Sequence, residues 1–110
     1  MAISMASTTT HPIRIVLPFH LRTLGRIATS EITLPIAEPV TLRAVIDAIE
    51  SAYPMLTGTI RDHGADKRRP MIRFYACNED LSHDPLDTVL PERVLTAREP
   101  LYIIGAIAGG

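Results

Sequence analysis

Few residues of this chain are of a type, and in a place, to do chemistry. The last two are Gly109 and Gly110, which close the stretch "IGAIAGG" from Ile104 to Gly110. They offer a carboxylate on a backbone with no side chain to shield it. Glycine loses more conformational freedom on ordering than any other residue, so two of them at a free end are not held by a strand. Either such an end frays and means nothing, or the terminal carboxylate is the working group. A carboxylate with an ordinary pKa of about 3.5 is anionic at neutral pH and a poor electrophile. The Gly110 carbonyl therefore reacts only after one of its oxygens has become a leaving group.

The other reactive side chains are scattered. Cys77 is the only cysteine, which excludes an internal disulfide and fits a reducing compartment. It falls in a stretch of strand alternation, where a small buried hydrophobe is a better reading than a sulfur-exchanging thiol. His11, His20, His63 and His83 have no paired-ligand spacing, so neither a metal site nor a bound cofactor is expected. The run Lys67-Arg68-Arg69 could dock an acidic partner surface, although such runs are more often simply solvated. Lys67 is the only lysine.

Size and composition narrow the classes. At 110 residues the chain is long enough for one core and too short for two. Hydrophobic residues at 46% and charged residues at 21% suit a globular domain, and no apolar run approaches the length of a membrane span. A net charge of -1, with no basic stripe interleaved with aromatics, removes the electrostatic grounds for nucleic-acid binding. The opening "MAISMASTTTH" lacks both a basic start and a sustained apolar segment. It reads as a disordered leader over residues 1–12 and not as a secretion signal, which predicts a cytoplasmic protein.

The elements that must position the tail follow from periodicity. Ile13, Ile15, Leu17 and Phe19 share one parity of a first strand, ending where Pro18 cannot donate to a ladder. Gly25 supplies a turn, and Ile32, Leu34 and Ile36 line one face of a second strand, giving a hairpin. Over residues 41–53 the period becomes helical. Leu42, Val45, Ile46, Ile49 and Tyr53 face one side, and Arg43, Asp47 and Glu50 the other, with Thr41 as N-cap and Pro54 as the stop. Residues 57–70 read as a mobile polar loop. Strand alternation resumes at Met71, with Ile72, Phe74 and Ala76 on one face and Asn78 in the turn that follows. Leu86, Val89 and Leu90 are expected to cover the core edge, and Leu101 to Ile104 form the last strand. A helix crossing between strands favours parallel pairing near the sheet centre. The exposed face of that sheet should carry Arg14, Thr33 and Arg73 and could receive a partner.

Taken in this order, the segments resemble the MoaD/ThiS-like family of ubiquitin-like sulfur carriers, from about Ile13 to Gly110. "IRIVLPFHLRTLG" is similar to the family's first strand and leucine turn, "VTLRAVIDAIESAYP" to its helix, and "IRFYACNEDL" to its third strand. "LDTVL" is similar to the segment before the last strand, and "AIAGG" to the terminal diglycine. A chance Gly-Gly end has odds of about one in two hundred. The resemblance implies an α+β, β-grasp fold: a mixed sheet of four to five strands with one main helix on one face, over residues 13–104, followed by a flexible tail over 105–110. It departs from the family pattern at Asn78-Glu79 and at Ala97 to Pro100.

The resemblance further implies a carrier and co-substrate and not an enzyme. A partner of the ubiquitin-activating type would use ATP to adenylate Gly110, and a sulfur donor or sulfurtransferase would convert the acyl-adenylate to a thiocarboxylate. An acceptor enzyme or synthase subunit would then take the sulfur. A side chain at 109 or 110 would have to enter a channel narrow enough to keep water from a reactive anhydride. Ile107 and Ala108 would be shallow anchors for the partner, and an extended run from Gly105 to Gly110 reaches on the order of 20 Å. Two alternatives stay open. The chain could be a protein modifier forming isopeptide bonds through Gly110, with self-linkage only at Lys67 or the amino terminus, or the small subunit of a molybdopterin-synthase-like complex. The acceptor pathway stands open among molybdopterin, thiamin, cysteine and thionucleoside synthesis.

Overall fold

The computed structural model describes residues 9–62, 64 and 67–105. Two-residue periodicity at each end of the chain and a 3.6-residue period between them generate a sheet with a helix laid across one face. The elements are β1 (Thr10–Val16), α1 (Phe19–Gly25), β2 (Glu31–Ala37), α2 (Leu42–Ala52), a 3-10 turn (Pro54–Leu56), β3 (Arg61–Asp62), β4 (Lys67–Arg68), β5 (Ile72–Ala76), β6 (Glu79–Asp80), α3 (Glu92–Leu95) and β7 (Leu101–Gly105). Five strands form one mixed sheet in the order β2-β1-β7-β5-β6. β1 and β7 run parallel, with Ile15 beside Leu101 and Val16 beside Tyr102, and the other pairs are antiparallel. This is the expected α+β fold with one main helix. Among the described residues no helix is long and apolar enough to cross a membrane.

Strand parity decides the core. Ile13, Ile15, Ile32, Ile36, Ile72, Phe74, Leu101 and Ile103 are buried on the inner face, against Leu42, Val45, Ile46 and Ile49 of α2. Each such side chain contributes roughly 1.5 to 3 kcal/mol gross by leaving water. Thr41 begins α2 as expected, its Oγ1 accepting from the Ala44 amide at 3.0 Å. The helix start is tied to the last third of the chain: the Arg43 amide donates to the Leu86 carbonyl at 2.9 Å, the Leu90 amide to that of Val40 at 2.9 Å, and the Arg43 guanidinium to Asp87 at 2.8 Å.

Several expectations are corrected. β1 starts at Thr10, inside the stretch read as a 1–12 leader, because the Glu38 amide donates to the Thr9 carbonyl and extends the ladder. Residues 1–8 lie outside the described residues. Phe19 is not the end of a strand. It opens α1 and is exposed, while Leu21, two residues on and on the opposite side of the helix, is buried. α1 ends in a left-handed Arg26, whose amide and that of Ile27 cap the last turn. Val89 is exposed instead of covering the core edge, a task left to Leu90 and to Val94 of α3. Gly105, assigned to the tail, is the last residue of β7 and pairs with Ile72.

The segment read as a mobile loop is largely fixed where it is described. Ile60 is fully buried, and Arg61 reaches under α2 to Glu50 and Asp47. Glu50 is therefore buried and not on a solvated face, its second oxygen accepting from the Gly58 amide at 3.5 Å. Burial works against the charge on Arg61, but hydrogen bonds from it to Asp47 and Glu50 outweigh that and hold its pKa above the ordinary value. Arg68 donates to the carbonyls of Ser82 at 2.8 Å and Ile72 at 2.7 Å, so this member of the basic run holds the fold together. Removing one partner of a buried ion pair strands the other charge. Arg61→Ala should thus lower stability by about 3 kcal/mol in urea unfolding, whereas Arg69→Ala, at an exposed site, should change it by less than about 0.5 kcal/mol.

Candidate functional site

The outer face of the sheet is built by the alternate residues of the same strands. Ile15 and Leu101 point inward as neighbours, so Val16 and Tyr102 point outward as neighbours. Tyr102 stands opposite Tyr75, and Ile104 opposite Arg73. A row of Val16, Tyr102 and Tyr75 thus crosses the three central strands, with Ile104 one step nearer the end of β7. Tyr102 is 40% and Ile104 46% exposed, as is Met71 beside β5 at 42%. Tyr102 and Ile104 are apolar side chains of a central strand that stand partly in solvent. Large rings and branched aliphatics in that position favour a partner surface over water.

Ion pairs border the row. The Arg14 Nε and Nη2 donate to both oxygens of Glu31, at 2.9 and 3.1 Å, and Nη1 donates to the Ala97 carbonyl at 3.1 Å. The fork holds Glu31 below the usual carboxylate range, chiefly through its hydrogen bond from Arg14. On the other side Arg73 lies 3.5 Å from Asp80. Asp80 is also lowered, first by hydrogen bonding with Ser82, whose amide donates to Oδ1 at 2.9 Å. Arg14, Thr33 and Arg73 lie on this face as read from the sequence. The apolar row between them is the part that reading passed over. It was marked in "LYIIG", where Tyr102 and Ile104 break the polar half of a two-residue alternation; a strand apolar on both parities is covered on both sides.

The other sequence-derived candidates fare differently. Gly109 and Gly110, with Ile107 and Ala108, lie outside the described residues, as does His63. Cys77 is not in mid-strand. With Asn78 it takes a left-handed conformation, φ 53° and 65°, in the two-residue turn between β5 and β6, the geometry of a type I′ hairpin. Among the described residues no group of three or more His, Cys, Asp or Glu side chains is placed to hold a metal ion. The sheet face and the tail meet at one point: Ile104 belongs to the face, and Gly105 is the last residue before the segment 106–110.

No protein-family model matches the sequence, and a search of curated proteins returns no match. Solved structures do share the fold. The chain is similar to the crystal structure of SAMP1 from Haloferax volcanii, with a TM-score of 0.66 and 14% identity over 88% of this chain and 97% of that one. It is similar to a chain of the Amycolatopsis orientalis BexX/CysO complex, with a TM-score of 0.66 and 22% identity over 88% and 98%. The solution structure of small archaeal modifier protein 1 from Methanosarcina acetivorans gives 0.65 and 20% over 93% and 99%. The ubiquitin-like β-grasp expected from the sequence is the fold observed.

A carboxylate whose folded pKa is depressed contributes stability that is complete above its unfolded value, about 4.3 for Glu, and that is lost as pH falls through the folded value. Glu31→Gln should melt below the unsubstituted protein at pH 6, and the gap should narrow as pH falls below the ordinary Glu range and Glu31 itself takes up a proton. Thermal unfolding of both proteins across that range measures it.

Proposed function

We propose that the protein is a sulfur carrier whose Gly110 carboxylate is adenylated by an enzyme of the ubiquitin-activating type and converted to a thiocarboxylate. The observation that carries the reading is the continuity of β7. One strand contributes Tyr102 and Ile104 to an exposed apolar face and then runs through Gly105 toward Gly110. A partner seated on the face is thereby within reach of the tail, because five further residues span about 17 Å when extended. The β-grasp fold and its likeness to SAMP1 and to the BexX/CysO complex support the same reading.

The chemistry asks little of the chain itself. A carboxylate oxygen of Gly110 attacks the α-phosphorus of ATP in the partner's site and pyrophosphate leaves, which turns a resonance-stabilised anion into an anhydride. A hydrosulfide-level donor then attacks the carbonyl carbon. AMP leaves, and the proton from sulfur is lost to solvent. The carrier contributes the carboxylate, a narrow backbone at Gly109 and Gly110, and the docking face. Acid, base, metal and nucleotide binding belong to the partner. The acceptor of the sulfur sets the pathway. A modifier that forms isopeptide bonds shares the activation step and differs only in the nucleophile, an amine in place of sulfur; the likeness to small archaeal modifier proteins favours it as the second reading.

Intact mass of the protein isolated from its host should show a fraction in which one C-terminal oxygen is replaced by sulfur, and deletion of Gly110 should abolish that species. Tyr102→Asp with Ile104→Asp places two carboxylates on the docking face. The pair should lower thiocarboxylate formation at least about tenfold, the loss of roughly 1.4 kcal/mol of docking energy, while the circular dichroism spectrum stays unchanged. Gly110 remnants on lysines of other proteins, with no thiocarboxylate in any preparation, would establish the modifier in its place.

A further inference from the structure

We propose that His20 is a positioning residue for the end of β7: its imidazole occupies the side-chain space of position 105 and steadies the last described residue before the segment 106–110. A Cβ built on Gly105 would lie 2.2 Å from His20 Cε1 and 3.1 Å from each ring nitrogen. The ring therefore directs its Cε1 edge at the Gly105 Cα, with both nitrogens equally set back. No real Cβ comes that close to another atom, so a side chain at 105 and the imidazole cannot share the space.

The two kinds of glycine in this chain make the point. Gly58 has φ +84°, with nothing within 4 Å of an added Cβ; backbone conformation alone explains that residue. Gly105 is the reverse case. It sits in β7, paired with Ile72, where the extended backbone accepts any residue. What a side chain there would meet is the imidazole, the far end of an exposed side chain that would have to swing off the strand to admit it.

The fold explains why a helix residue reaches the end of a strand. The β1–β7 ladder stops at Val16 and Tyr102, and the chain turns through Leu17 and Pro18 into α1. Inward parity passes from Leu101 through Ile103 to position 105, and Leu17 and Leu21 are buried on either side of His20 in the sequence. His20 itself is exposed. Its ring lies against Gly105 while the residue remains open to solvent. With Ile72 on one edge and the imidazole on its inner side, Gly105 is held as part of the body.

The functional consequence rests on the reading of Gly110 as the activated group. A carboxylate five residues beyond a fixed point samples a smaller volume than one beyond a frayed strand end, so its effective concentration at a docked partner's site is higher. Loss of His20 should leave Gly105 held only by its pairing with Ile72 and loosen the end of β7. The imidazole is assigned no step of the chemistry.

The test is a double-substitution cycle on the full chain: His20→Ala, Gly105→Ala and the two combined. Each protein is measured for thermal stability, for the 15N order parameter at residue 105, and for the thiocarboxylate fraction by intact mass after expression in the native host. His20→Ala should leave the melting temperature within about 2 °C, lower the order parameter at 105 from about 0.85 to below about 0.6, and cut the thiocarboxylate fraction about threefold or more. Gly105→Ala should also impair the protein, and the combined variant should be no worse than His20→Ala, since the ring that blocks the methyl group is gone. An order parameter at 105 unchanged by His20→Ala, or defects that simply add in the combined variant, would overturn the proposal. Should His20→Ala loosen Gly105 while the unsubstituted protein carries no thiocarboxylate, the contact stands and the sulfur-carrier reading falls.

Discussion

The parallel pairing of β1 with β7 is the constraint on which the rest depends. Antiparallel neighbours can be joined by a two-residue turn, whereas a parallel pair needs a crossover. Here the crossover is most of the molecule: β2, α2, the β3–β4 hairpin, β5, β6 and α3 all lie between the two partners in sequence. The pairing places the last strand at the centre of the sheet and not at its edge. From that position one side of β7 contributes Leu101 and Ile103 to the core, and the other presents Tyr102 and Ile104 to solvent. A chain end that would fray on an edge strand is instead anchored as far as Gly105.

Long, strongly periodic elements were legible in the sequence because each carries its own repeated signal. The α2 stripe of Leu42, Val45, Ile46 and Ile49 and the alternation of β2 and β5 came through with boundaries correct within a residue or two. The parallel centre of the sheet followed from the position of α2 between strands. Short elements were not legible. α1 has seven residues with Leu21 as its buried member, and α3 has four with Val94. A single buried position defines no period. Left-handed residues at Arg26, Cys77, Asn78 and Ala97 compound this, since only Asn78 is of a type that advertises a turn.

The buried ionic cluster failed for a different reason. Glu50 shares the polar face of α2 with Asp47 and looks solvated in one dimension, but Arg61 arrives from a segment whose composition reads as loop. Residues 57–62 are tied down by the burial of Ile60 in the core and by the bonds of Arg61 and the Gly58 amide to α2. Neither can be seen without the partner helix. The same holds at the tail root: His20 and Gly105 stand 85 positions apart in the numbering, and each is unremarkable until the two are side by side. The terminal diglycine rests on the sequence alone, because its chemistry is local, whereas the face that would bring a partner to it is an assembly of three strands.

The electrostatics of that face bear on how it would be recognised. Arg14 is engaged by Glu31 and the Ala97 carbonyl, and Arg73 faces Asp80. Charges satisfied within the molecule offer a partner little unscreened field, and exposed pairs of this kind contribute little to stability of their own. Recognition would then rest on the apolar row of Val16, Tyr75, Tyr102 and Ile104, with the ion pairs acting as a rim that excludes mismatched partners and fixes register. Such a surface would release a partner without separating desolvated charges. That suits a carrier that must leave one enzyme and visit another better than it suits a permanent subunit, whose interface would be larger and more uniformly apolar.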